Sequence, residues 1–123
     1  MAARIESVHP VLMSSNVAAS ILFFGRIGFA LAFADSEDDP KYAGVRRGGV
    51  ELHLQWHDAE QWSHPGDRPT YRFLVDDVDA LLQEFQGVGV LPDHAEVRET
   101  PWGTREFHVF DPDGNGLQFD QDR

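Results

Sequence analysis

The sequence predicts an α+β fold: two similar halves, each a strand, a helix and then two or three strands, set side by side as a curved mixed sheet with a cleft inside and the helices outside. Three observations predict it. The stretch NVAASILFFGRIGF from Asn16 returns as DVDALLQEFQGVGV from Asp77 at constant spacing, matching Asn16 with Asp77, Phe24 with Phe85 and Gly28 with Gly89. Strand-like segments flank each copy, several of them alternating between apolar and polar residues. At 123 residues the chain is long enough for one domain with a real core and too short for two of ordinary size.

The elements follow in order. Val8 to Met13 reads as the first strand. Asn16 can cap a helix whose apolar residues Val17, Ile21 and Phe24 recur at helical spacing, and Gly28 stops it and hands the chain to an apolar strand. In AGVRRGGVELHLQW, Val50, Leu52 and Leu54 alternate with Glu51, His53 and Gln55, which is a half-buried strand with one polar face. This gives module one at about 1–56. A stretch rich in Asp, His, Gly and Trp at about 57–68, with His57, Trp62 and His64 following Trp56, reads as a linker within the single domain 1–123. Module two, about 69–123, repeats the plan. Tyr71 to Val75 is its first strand, Asp77 caps a helix bearing Val78, Leu82 and Phe85, and REFHVF and GLQF are strands joined by the DPDGN turn.

Composition sets limits on function. Hydrophobic residues at 41% and charged ones at 25% are the proportions of a soluble globular protein. A net charge of -11 argues against a nucleic-acid partner and draws in cations, although an acidic surface also serves solubility. No apolar run reaches the ~20 residues of a membrane span, and MAARIESVHP lacks the apolar core of a secretory signal, so the expectation is a cytoplasmic protein. With no cysteine, any metal must rest on His, Asp or Glu. No Ser, Cys or phosphate-loop catalytic motif is present.

Three stretches, HPVLMSSNVAASILFFGRIGF, YAGVRRGGVELHLQ and above all PWGTREFHVFDPDGNGLQF, resemble the vicinal oxygen chelate (glyoxalase/bleomycin resistance/dioxygenase) superfamily, and within it the bleomycin resistance, or bleomycin-binding, proteins. The likeness covers essentially the whole chain and implies paired βαβββ modules. Enzymes of this superfamily hold a divalent metal in the cleft through side chains from the first and last strand of each module. That implies slots at His9 and Thr70, at Gln118, and at either Glu51 or His53. Thr70 and Gln118 are weak neutral donors, so the expectation is no metal and no cofactor. The alternative is a metal-dependent dioxygenase, isomerase or thiol transferase using His9 with Glu51 or His53. His9 also has a plain reading, as the residue before Pro10 near the start of a strand.

The resemblance to the binding proteins implies a non-catalytic homodimer that confers drug resistance by sequestering a bleomycin-type antibiotic, a cationic aromatic glycopeptide. Modules from two chains complete each groove, and a flat ring of the ligand is stacked between aromatic side chains. Trp102 matches the stacking position, and Gly103 beside it lets the ligand approach the backbone. Tyr42 and Phe33 are the expected partner rings. The concave side of a curved sheet should be the cleft, so Glu51, His53 and Gln55 are expected to line a polar groove rather than a solvated sheet face, and alternation from Thr70 points Arg72 toward it. The acidic run Asp35 to Asp39 would attract a positive tail. Phe33 reads equally as core, Tyr42 as an ordinary edge-strand residue, and the acidic run as a solvated loop. No role follows for Trp56, His57, Trp62 or His64.

Overall fold

A computed structural model describes residues 2–58, 60 and 69–123 of the chain. Trp62 and His64 lie outside the described residues. The first half runs β1 (Val11–Ser14), α1 (Val17–Arg26), β2 (Ala30–Ala34), β3 (Tyr42–Arg47) and β4 (Val50–Trp56); the second runs β5 (Thr70–Leu74), α2 (Val78–Gln86), β6 (Arg98–Glu99), β7 (Thr104–Phe110) and β8 (Gly116–Asp122). The curved sheet consists of two separately hydrogen-bonded open sheets of identical plan, ordered β1-β4-β3-β2 and β5-β8-β7-β6. In each, the first strand pairs in parallel with the last and the other pairs are antiparallel.

Local chemistry accounts for the elements. Asn16 and Asp77 are the N-caps, and their side-chain oxygens accept from the amides of Ala19 and Ala80 three residues on. Beyond each helix a glycine takes a left-handed conformation, Gly28 at φ 91° and Gly89 at φ 70°, which a side chain would strain. The expected strand at Val8 to Met13 starts later, at Val11. Pro10 has no amide proton to give a ladder, although its carbonyl accepts from the His53 amide at 2.8 Å.

Each helix covers one face of its sheet. Val17, Phe24 and Ile27 pack on Leu12, Val45, Leu52 and Leu54, while Val78 and Phe85 pack on Phe107, Val109, Leu117 and Phe119. The halves are then tied together. Phe29 meets Phe73 edge-on at 6.4 Å, Arg47 makes a two-pronged ion pair with Glu84 at 2.6 and 2.9 Å, and the Asn115 amide group donates to the Met13 carbonyl at 2.9 Å. The helices take one face of each sheet, so the polar face of β4 is left free. Among the described residues no helix is long and apolar enough to cross a membrane.

Candidate functional site

Strand register settles which residue of the first half corresponds to Gln118. Val11 and Arg72 each stand five residues before a helix cap, at Asn16 and Asp77. Val11 pairs with His53 and Arg72 pairs with Gln118. His53, not Glu51, is therefore the counterpart of Gln118. By the same register Tyr42, opposite Gln55, corresponds to Glu106, opposite Asp120.

On β3 and β4, period-two alternation brings Tyr42, Gly44, Arg46, Glu51, His53 and Gln55 to the face away from α1, with Val45, Leu52 and Leu54 on the other. Phe33 joins them through a bulge. The pairing shifts between Leu31, which faces Val45, and Phe33, which faces Gly44, so the ring of Phe33 turns to the polar side. It lies 43% exposed, stacked on Tyr42 at 6.2 Å and edge-on to His53 at 5.2 Å. Of its two sequence readings, the structure places Phe33 on the open face rather than in the core. Tyr42 is half-buried there too.

The polar groups form one chain of hydrogen bonds. The Tyr42 hydroxyl lies 2.7 Å from His53 Nδ1, His53 Nε2 lies 2.8 Å from Glu51 Oε2, and Arg46 donates to Glu51 Oε1 at 2.7 Å. A carboxylate only accepts, so in the neutral His53 ring Nε2 carries the proton and donates to Glu51, while Nδ1 accepts from the Tyr42 hydroxyl. The hydrogen bond from His53, and then that from Arg46, holds the Glu51 carboxyl below its ordinary value. His9 stacks on His53 with ring centres 4.6 Å apart, and its Nε2 is 3.5 Å from Glu51 Oε2.

The nearest ligand atoms of His9, Glu51 and His53 lie within 4.8 Å of one another, a donor set of the kind divalent metals use. The arrangement does not fit a resident ion. With the two imidazole planes only 20° apart and stacked, their in-plane lone pairs run side by side rather than converging. Glu51 is already neutralised by Arg46, and Gln118, in the slot opposite, donates its amide to Glu106 at 2.8 Å.

A groove of about 750 Å³ runs from this cluster across the seam, lined by His9, Arg46 and Glu51 from the first half and by Thr70 and Arg72 from the second. Arg72 is paired with Asp120 at 3.0 Å. Gln55 is exposed on the same face. Trp102 and Gly103 lie elsewhere, in the tight turn before β7. Trp102 is 66% exposed, Gly103 has φ 91°, and among the described residues no hydrogen bond or ring contact joins Trp102 to the Glu51 cluster. In the acidic run, Asp35 accepts from the amides of Lys41 and Tyr42 and so shapes the loop entering β3. Trp56 ends β4, with the Lys41 ammonium 4.6 Å from its ring centre.

Three residues of these faces escaped the sequence reading. Arg46 was findable, because it alternates with Tyr42 on β3. Glu106 and Asp120 are buried polar partners of Gln118 and Arg72, and alternation along REFHVF and GLQFD signals them only once the register between the strands is known.

Comparison with known proteins places the fold. The model of the Glyoxalase/Bleomycin resistance protein/Dioxygenase superfamily matches residues 7–119. A bleomycin resistance protein of Geobacillus stearothermophilus is 27% identical across 91% of this chain and 93% of its own length, as is one from Staphylococcus aureus. Among solved structures, the bleomycin-binding protein of bleomycin-producing Streptomyces verticillus, complexed with copper(II)-bleomycin, is 31% identical over 96% of this chain and 97% of that one, with a TM-score of 0.75. The bleomycin resistance determinant encoded on transposon Tn5 shares the fold at a TM-score of 0.81, with 21% identity over 97% of this chain and 99% of that one.

Proposed function

Because the chain belongs to the Glyoxalase/Bleomycin resistance protein/Dioxygenase superfamily, we propose that it is a homodimeric cytoplasmic binding protein that sequesters a bleomycin-type cationic aromatic antibiotic. The observation that carries this reading is the open aromatic face: Phe33, stacked on Tyr42 and 43% exposed, beside a groove that ends on Glu51. A flat ring laid on such a face contributes roughly 0.5–1.5 kcal/mol beyond its burial. The net charge of -11 raises the local concentration of a cationic guest. Protection needs no chemical step, because binding withdraws free drug by mass action. In one chain the ring pair lies beside the groove, while Trp102 stands apart from both. In this reading a second copy brings its Trp102 turn, with Gly103, over the open side.

The test is a titration of tryptophan fluorescence with metal-free and copper-loaded bleomycin. A saturable response that Trp102→Ala abolishes, with Trp56 and Trp62 retained, is the expected result. No response at high micromolar drug would overturn the proposal.

The competing reading is a metal-dependent enzyme of the same superfamily. It draws on the closeness of His9, Glu51 and His53 and is opposed by their stacked rings. Metal analysis of protein purified without chelators separates the two. Stoichiometric metal that disappears in His9→Ala would favour the enzyme.

A further inference from the structure

We propose that Glu51, His53 and Tyr42 form a proton relay that makes the Tyr42 hydroxyl a nucleophile toward aromatic compounds carrying an electrophilic acyl or sulfonyl group. The proposal goes beyond sequestration and does not depend on which drug, if any, the groove holds.

The relay has the parts that activate a hydroxyl. Its oxygen must sit within hydrogen-bond reach of a base, and a third group must orient that base and steady the cation it becomes. Tyr42 meets His53 Nδ1 at 2.7 Å, and His53 Nε2 meets Glu51 at 2.8 Å. Glu51 is in turn fixed at Oε1 by Arg46 at 2.7 Å, which keeps it ionised, while its Oε2 meets His53 and lies 3.5 Å from His9 Nε2. The His53 side chain is only 14% exposed, and the edge-on Phe33 ring shields it from solvent, which strengthens the charge interaction. The same exposed ring of Phe33 is where an aromatic reagent would lie next to the hydroxyl.

The step balances without an outside reductant or oxidant. As the Tyr42 oxygen bonds to the acyl carbon or sulfonyl sulfur, the leaving group departs with its electron pair. The phenol proton passes to His53 Nδ1, and the Glu51 carboxylate steadies the imidazolium until it loses that proton to water. Tyr42 is the reacting residue. Glu51 acts through His53 and is a positioning residue.

The chain has two tyrosines, so it contains its own control. The Tyr71 hydroxyl donates to the Val11 carbonyl at 3.2 Å, an acceptor that cannot take up a proton, and burial pushes its phenol up.

The experiment uses aminoethylbenzenesulfonyl fluoride, a cationic aromatic sulfonyl electrophile, in buffer containing a metal chelator, with peptide mass spectrometry to locate the adduct. Fluoride leaves as the Tyr42 oxygen–sulfur bond forms. Labelling of Tyr42 is expected to exceed that of Tyr71 by on the order of tenfold or more, and to fall by a similar factor in His53→Gln. Glu51→Gln is the second variant, expected to slow labelling while circular dichroism shows the fold retained. Equal labelling of the two tyrosines, or Tyr42 labelling unchanged in a folded His53→Gln or Glu51→Gln protein, would overturn the proposal. Neither result bears on bleomycin binding, which the fluorescence titration reads separately.

Discussion

The ring of Phe33 lies directly on Gly44 of the neighbouring strand. A Cβ built on Gly44 would collide with ring atom Cε1 and come within 2.8 Å of Cδ1. The absence of a side chain at 44 is what lets Phe33 fold over β3 and reach both Tyr42 and His53. In Gly44→Ala the better strand propensity of alanine, worth about 0.5–1 kcal/mol, offsets part of an overpacking cost of about 1–3 kcal/mol. Stability measured by urea denaturation is therefore expected to drop only modestly. Drug affinity, measured by calorimetry, is expected to fall several-fold as the ring is pushed off its partners. Full affinity in Gly44→Ala would show that the stacked pair is not part of the binding surface.

Acid is expected to weaken the native protein partly through Glu51. In the unfolded chain this carboxyl titrates at its ordinary value of 4.5, while in the fold His53 and then Arg46 hold it lower. Its contribution to stability is thus fully present above the ordinary value and is lost as the pH falls from there through the lowered folded value. Glu51→Gln, which cannot titrate, should lose stability less steeply across that window. Urea midpoints taken at a series of pH values make the comparison, and parallel curves for the two proteins would remove Glu51 as a source of acid sensitivity.

Legibility in the sequence followed the range of the physics involved. The caps at Asn16 and Asp77, the helix faces and the polar side of β4 are set by neighbours within one element, and period and capping chemistry reveal them. Phe33 resisted because a bulge between Leu31 and Phe33 resets the alternation, and nothing in ALAFA announces it. The choice between Glu51 and His53 needed the pairing of β1 with β4, a contact across about forty residues that composition does not encode. The Tyr42–His53 hydrogen bond joins neighbouring strands only eleven residues apart, yet it too needs the register of β3 on β4, which neither strand shows alone. Trp102 was singled out on sequence, but one chain alone leaves it apart from the residues it was expected to join.

Asn115 is expected to be a stability hot spot far from the groove. It is fully buried in the turn before β8, where its side-chain amide donates to the Met13 carbonyl of the other half at 2.9 Å and to Asp111 at 2.8 Å. Burial pushes the Asp111 carboxyl up, and the hydrogen bonds from Asn115 work against that. Asn115→Ala strands a half-buried carbonyl and weakens the support of a buried acid, at a cost of about 1–3 kcal/mol. Asn115→Asp keeps the size but sets a second carboxyl against Asp111 and should cost more than alanine. An aspartate variant as stable as the native protein in urea would show that the donor, and hence the tie between the halves, contributes little.

A groove shared between two chains makes a prediction that a groove within one chain cannot. Phe33→Ala removes the ring from the open face beside the groove and Trp102→Ala removes the ring proposed to close over it, so each variant alone should bind bleomycin weakly by calorimetry. When the two variants are unfolded together and refolded, half the dimers are mixed by chance, and each mixed dimer regains one groove with Phe33 from one chain and Trp102 from the other. About a quarter of all grooves should then bind with native affinity, while the rest, including the doubly damaged groove of each mixed dimer, stay weak. If both rings belonged to one chain's site, no mixture could restore it. A mixture that binds no better than its components, from proteins that sediment as dimers, would place Trp102 outside the shared groove.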